Sequence, residues 1–262
     1  MLETRTGTIL SSRKSGEADR ILDVLTDSDE FLNLKYHGIR ASQRRSQIAI
    51  QPGNTVQVVF YRKDVENQLF SIKELSLAKE IKLQGRYLIL QRLAATLALV
   101  RASASGGPRG LYALCQGALE ALETNQDADN KWFLDLIGFL VVRIQKLQGM
   151  LGDVHSCSGC GEALWQSDIW PPGSYKPSYW NEPDIDFLCE GCALRDNQLA
   201  ARANTIHAFW IFAASRMKFS AFCQSLDTFP TISGPAGTPA RLLQDVQHFL
   251  GPLKELQFID SD

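Results

Sequence analysis

Apolar residues along the first 80 positions alternate with polar ones in short runs. Thr6–Ser12, Arg20–Thr26, Phe31–His37, Thr55–Arg62 and Gln68–Leu77 are rich in β-branched and aromatic residues. Lys14-Ser15-Gly16, Asp27-Ser28-Asp29, Gln51-Pro52-Gly53-Asn54 and Lys63 to Asn67 separate them with turn-forming residues. In the fourth run Val56, Val58 and Phe60 fall on one side, with Gln57, Val59 and Tyr61 on the other. Five short strands and one long loop in this length predict a small closed barrel of the OB type rather than an open sandwich.

The period changes near residue 80. Leu90, Leu93, Leu97 and Val100 recur at helical spacing between Arg86 and Arg101. A second helix is predicted over Gly110–Leu122. A third runs over Lys131–Gln148, with Trp132, Leu136, Leu140, Ile144 and Leu147 on one stripe. That third helix is apolar nearly all round, which predicts a central position. Ala200–Phe222, carrying Phe209, Trp210 and Phe212, reads as one further helix. Pro230–Pro239 reads as a Gly/Pro loop, and Pro239–Leu250 as a last short helix ahead of an acidic end. The pattern predicts an α+β multidomain chain: a barrel at 1–80, helices at 81–149, a cysteine module at 150–198, and helices with a tail at 199–262.

Composition narrows the class. The chain has 262 residues, a formal net charge of −2 and six cysteines. The opening residues show no apolar core of a secretory signal, and Leu136–Val142 is far shorter than a membrane span needs. A cytoplasmic location, associated with the nucleoid, is expected.

The sharpest chemical signal is Cys157-Ser-Gly-Cys160, followed after 28 residues by Cys189-Glu-Gly-Cys192. Two Cys-x-x-Cys turns present four thiolates, the donor set that a structural zinc ion prefers. A dithiol redox site needs one such pair at a strand-to-helix turn of a βαβ unit, a context missing here. One structural zinc per chain is expected on Cys157, Cys160, Cys189 and Cys192, with His155 a bystander. Such a site has no open position for water, so catalytic zinc is disfavoured. His37, His207 and His248 pair with nothing in the sequence, and no phosphate-cradling or nucleophile-elbow motif is present. Trp165, Trp170, Tyr175, Tyr179 and Trp180, threaded with prolines, read as cover for a metal module too small for its own core, or as an exposed contact surface.

Charge is unevenly placed. Lys35, Arg40, Arg44, Arg45, Arg62 and Lys63 occur without an acid among them, after an acidic stretch from Glu17 to Glu30. With Tyr36 and Tyr61 nearby they predict a single-strand-binding groove, basic for phosphates and aromatic for bases. Arg92, Arg101 and Arg109 lie in a second acid-free stretch and are candidates for contact with a protein partner. For both stretches the plainer reading is a solvated face.

Thr8-Ile-Leu-Ser-Ser-Arg13, Gly16-Glu-Ala-Asp-Arg-Ile-Leu22, the segment at Gly38-Ile-Arg40 and the late cysteine module together resemble the RecO family of bacterial recombination mediators. The resemblance covers about residues 4–80 and 147–195. It implies an N-terminal OB fold, a helical domain bearing a four-cysteine zinc module, and no catalytic residues. It further implies binding to single- and double-stranded DNA, strand annealing, and action with RecR to load RecA onto DNA coated by single-strand-binding protein. The finger loop here is longer than in that pattern, and Ser42-Gln43 and Ser46-Gln47 stand where relatives carry more basic residues. Two other classes fit the residues alone: a zinc-stabilised protein-interaction module, and a zinc-containing nucleic-acid-modifying enzyme.

Overall fold

The computed structural model describes residues 1–39, 47–62, 69–153, 155–164, 178–181, 186–195, 201–203, 211 and 213–228. The chain divides into two compact units, one spanning Met1–Phe133 and the other beginning at Leu134.

The first unit opens with β1 (Leu2–Ser15), β2 (Asp19–Thr26), β3 (Phe31–Tyr36), β4 (Thr55–Tyr61) and β5 (Leu69–Lys79). They close into a barrel in the order β1-β2-β3-β5-β4. The β3–β5 pairing is parallel and the other seams are antiparallel. Period-two patterning builds this barrel: Val56, Val58 and Phe60 are fully buried, while Gln57 and Tyr61 are exposed. Ile9, Leu22, Val24, Leu32, Leu34, Tyr36, Ile39, Ile50 and Ile72 join Val56, Val58 and Phe60 in the core. β1 approaches β2 closely at Gly7, where a Cβ atom would sit 2.7 Å from both the Leu25 carbonyl oxygen and a Val24 methyl.

Helices α1 (Tyr87–Ser103) and α2 (Leu111–Thr124) belong to the same unit. Two carboxylates on barrel strands and turns fix them. Asp23 is fully buried, although strand parity places it opposite Ser11, outside the barrel core. It accepts the Ser11 hydroxyl at 2.6 Å, and its Oδ2 lies 3.1 Å from Arg13 Nη1 and 2.6 Å from Arg101 Nε of α1. Asp29, at φ 63° in the β2–β3 turn, accepts the amides of Gly110 and Tyr112 at the start of α2. Neither contact is visible in the linear pattern. The expected stripe on α1 also needs correction: Leu90 is exposed, and the buried face runs through Ile89, Arg92, Leu93, Thr96, Leu97 and Val100.

α3 (Asn130–Leu147) is buried without interruption from Asp135 to Val142, as its all-round apolar pattern predicts. Leu147 at its end is exposed. In the second unit β6 (Ser178–Asn181), β7 (Asp186–Cys189) and β8 (Ala201–Ala203) form a three-stranded sheet in the order β7-β6-β8. The short helix α4 (Glu190–Arg195) follows β7 directly. The single helix expected over Ala200–Phe222 is therefore not formed. Ala201–Ala203 pairs with β6, the chain is helical at 213–216, and it turns at Met217 and Lys218 before α5 (Phe219–Thr228). Arg143 and Lys146 of α3 satisfy the carbonyl groups left open at this break: the carbonyl of Ser215 accepts Arg143 Nη1 at 2.8 Å and Lys146 Nζ at 3.0 Å. Phe209, Trp210 and Phe212, like the Pro230–Pro239 loop and the Pro239–Leu250 helix, lie outside the described residues. Among the described residues no helix is long and apolar enough to cross a membrane.

Candidate metal centre and nucleic-acid interface

The four cysteines of the two Cys-x-x-Cys pairs converge. Cys157–Cys160 is a tight turn: the Cys157 amide donates to the Glu162 carbonyl, and the Gly161 amide to the Cys157 carbonyl, each at 2.8 Å. Gly161 takes φ 75°, the left-handed conformation that glycine adopts without strain. A short bridge between Ser156 and Ala163 closes the base of the turn. The Ser158 amide donates to the Phe187 carbonyl at 2.9 Å and laces this turn to β7. Cys189 ends β7 and Cys192 stands in the first turn of α4, so the second pair is set by a strand-to-helix junction. Leu164, Phe187 and Leu188, next to the cysteines in the chain, are buried.

The sulfur atoms of Cys157, Cys160, Cys189 and Cys192 all lie within 4.8 Å of one another. Cys160 and Cys189 are 3.7 Å apart. A disulfide needs about 2.05 Å, and all four thiols are free. A tetrahedral metal with bonds of about 2.3 Å to sulfur separates its ligands by roughly 3.8 Å. The donor set and its spacing therefore suit one metal ion and are consistent with zinc. Burial raises the Cys157 thiol, but the amides of Cys189, Cys160 and Gly159 outweigh it and bring the group down to about 7. The Cys160 thiol, then burial, then the remaining cysteines push Cys192 up to about 12. Four crowded thiols resist joint ionisation, and a divalent cation at their centre removes that conflict. A Cβ atom at Gly159 would lie 3.1 Å from the Cys192 sulfur, so glycine lets the first turn reach the cluster. Arg195 Nη2 approaches the Cys192 sulfur at 3.8 Å. His155 is not part of the cluster; its Nε2 faces Arg216 Nη2 at 2.6 Å.

The basic residues expected on the barrel fare differently. Arg40, Arg44, Arg45 and Lys63 lie outside the described residues. Lys35 Nζ is 3.1 Å from Asp19, which also accepts the amide of Gly38 at 2.8 Å and faces His37 Nδ1 at 3.1 Å. Arg62 is held by Glu3 at 3.0 Å and by Glu30, and its guanidinium lies over the Phe60 and Phe70 rings at 5.7 and 5.4 Å. The sequence hides these acids because β1–β4 pairing and the β2–β3 turn bring them from far away. Arg62 is thus a neutralised clamp rather than an open phosphate ligand. Tyr36 is a correction as well. It is 5 % exposed and packs in the barrel core, so its ring offers no platform for a base. Tyr61, at 45 % exposure, does.

Among the candidates for a protein partner, Arg92 is corrected by its burial at 2 % exposure. It donates to the Ala128 carbonyl at 2.8 Å and to Asn130 Oδ1 at 3.0 Å, beneath the Phe133 ring. Burial lowers its pKa from the usual arginine value. Arg101 is engaged with Asp23, and Arg109 is exposed.

Residues 1–81 match the family model described as recombination protein O N terminal. The chain is 28% identical over 196 residues to the DNA repair protein RecO of Leptospira biflexa serovar Patoc, covering 71% of this chain and 70% of that protein. It is 28% identical to the DNA repair protein RecO of Rubrobacter xylanophilus over 59% of this chain and 60% of the relative. The corresponding protein of Syntrophobacter fumaroxidans is 28% identical over 65% of this chain and 66% of its own length. The closed five-stranded barrel, β1 to β5, lies inside the residues matched by the recombination protein O N-terminal model, and the chain is similar to these RecO proteins over 59–71% of its length.

Proposed function

We propose that this protein is a cytoplasmic DNA-binding recombination mediator in DNA repair. It binds single- and double-stranded DNA, anneals complementary single strands, and with RecR helps to load RecA onto DNA coated by single-strand-binding protein. The observation that carries the reading is the coincidence of the closed barrel, β1 to β5, with the residues matched as a RecO N-terminal domain. Annealing needs charge neutralisation and strand juxtaposition rather than bond chemistry, so the protein works by binding and not as an enzyme. DNA contact on the barrel falls to Arg40, Arg44, Arg45 and Lys63, with Tyr61 as the exposed ring. Lys35 and Arg62 take a smaller share because acids hold them. One structural zinc on Cys157, Cys160, Cys189 and Cys192 holds the module together. With Arg92 buried and Arg101 held by Asp23, Arg109 is the remaining candidate cation for the acidic tail of single-strand-binding protein.

The test is annealing of dye-labelled complementary oligonucleotides, bare and coated with single-strand-binding protein, with and without RecR, in the absence of nucleotide. Annealing faster than the spontaneous rate, and RecR-dependent RecA assembly on coated strands, are expected. A protein that neither retains nor anneals DNA at low salt would sink the reading.

A further inference from the structure

Two arginines from different elements meet one carboxylate beside the barrel. Arg13 on β1 and Arg101 on α1 contact the same oxygen, Asp23 Oδ2, at 3.1 and 2.6 Å, and Ser11 donates to that oxygen at 2.6 Å. The carboxylate is fully buried, whereas the Arg13 and Arg101 side chains are 48% and 46% exposed. The negative end of the group points inward and the positive ends point to solvent.

Such a group does more than a structural tie requires. One guanidinium is enough to neutralise Asp23 and fasten α1 to β2; the second leaves a net charge of +1. The other arginines paired with acids among the described residues are balanced one to one: Arg86 is paired with Asp127, and Arg5 and Arg62 share Glu3 and Glu30. A guanidinium has five N–H donors, and among the described residues Arg13 and Arg101 each engage Asp23 through one nitrogen. Their other nitrogens remain to donate outward. Because Asp23 already holds both side chains, little rotamer freedom is left to lose when an anion arrives, and preorganisation of this kind raises affinity. Forked guanidinium donors match the oxygens of a phosphate bidentately.

We propose that Arg13 and Arg101, pinned on Asp23, form a seat for a phosphodiester group of DNA where α1 meets the outside of the barrel. The assignment rests on the DNA-binding reading above and adds to it a site made of residues separated by most of the barrel and α1. The strand path extends from the barrel to the C-terminal end of α1, and Ser11 and Asp23 serve as positioning residues.

The experiment is a salt titration of fluorescent single-strand binding to the full chain, comparing wild type with Arg13→Gln and Arg13→Lys. Arg13 is chosen because Asp23 then keeps Ser11 and Arg101, so the fold survives; thermal melting checks this. Each single-strand phosphate contact contributes about 0.7 to the slope of log affinity against log salt. Arg13→Gln should flatten the slope by about that amount, and the wild-type advantage should shrink about 2.6-fold on going from about 50 to 200 mM salt. Arg13→Lys should restore most of the slope. A variant Arg13→Gln with wild-type slope and affinity overturns the seat and leaves only the structural tie. Loss of binding to a labelled poly-aspartate peptide, with DNA binding unchanged, also overturns it and makes the seat one for carboxylates. Wild type that binds no DNA overturns the underlying function, and the seat with it.

Discussion

Asp29, in the turn between β2 and β3, caps a helix whose N-cap residue lies 81 positions later: its carboxylate accepts the Gly110 amide at 2.7 Å. A second bond, from Tyr112, uses the other oxygen at the same distance. The capping acceptor usually sits on the helix's own first residues; here Gly110, at φ 92°, has no side chain to offer. Asp29→Ala should cost about 1 kcal/mol for the lost cap and about 1–2 kcal/mol more for an alanine at positive φ. Asp29→Asn, which tolerates that conformation and keeps one acceptor, should cost less. Urea unfolding of the full chain reads both, and equal midpoints for the alanine variant and wild type would remove the cap from the account.

Tyr36 and Tyr61 should separate stability from binding. Tyr36→Ala empties a core position and should cost about 3–5 kcal/mol, as for other large-to-small aromatic changes. Tyr61→Ala should leave melting nearly unchanged and weaken single-strand binding by about 1–3 kcal/mol, with little change in salt slope. Oligonucleotide titrations paired with thermal melts decide this; unaltered binding by Tyr61→Ala would remove the ring from the interface.

Arg44 and Arg45 give a complementary prediction. Replacing Arg44 and Arg45 together with Gln should flatten the salt slope for single strands by roughly 1.4 and weaken all sequences alike. Parallel slopes with equal affinity would take both residues out of the DNA interface.

Metal analysis should find about one zinc per chain, held in a closed tetrahedral site. Cys160→Ser should release it and loosen the cysteine module, since structural zinc contributes on the order of 10 kcal/mol in small domains. Gly159→Ala should speed zinc loss to a chromogenic chelator, because the new methyl presses on the Cys192 sulfur. Stoichiometric zinc in Cys160→Ser would show that the metal sits elsewhere.

Asp19 supplies a pH dependence. The Gly38 amide, then Lys35 and His37, hold its carboxyl below the ordinary 3.8. A depressed folded value means the contribution is complete above the unfolded pKa of about 3.9 and is lost as pH falls through the folded value. Wild type should therefore exceed Asp19→Asn in stability at neutral pH, and the gap should close on acidification below about pH 4. A gap that stays constant down to about pH 2 would contradict this.

The barrel was legible because Val56, Val58 and Phe60 repeat at period two, and the metal centre because two Cys-x-x-Cys turns have few other uses. Tyr36 was legible too, had parity been weighed above residue type: Leu32, Leu34 and Tyr36 share one face, and all are buried. Arg92 lies on the stripe of Ile89, Leu93 and Thr96, yet its charge argued for solvent until carbonyl acceptors from residues 128 and 130 were in view. The neutralisation of Arg62 by Glu3 and Glu30 had no local signal, since it exists only after the strands pair. Ala200–Phe222 misled because apolar runs alone do not distinguish a helix from a sheet edge followed by a broken helix.

Closure of the barrel has a consequence for the order of assembly. The β1–β4 seam brings Leu2 against Tyr61, and the β3–β5 seam brings Asn33 against Leu69. Such distant pairings must bear their loop-closure entropy before any contact repays it, which places folding in the slower range of small domains. β5 ends at Lys79, ahead of both helices of the first unit. During synthesis the chain can therefore finish its slow step first, and α2 emerges to find Asp29 already in place. The barrel is a template on which a fast, local helix is then set in register.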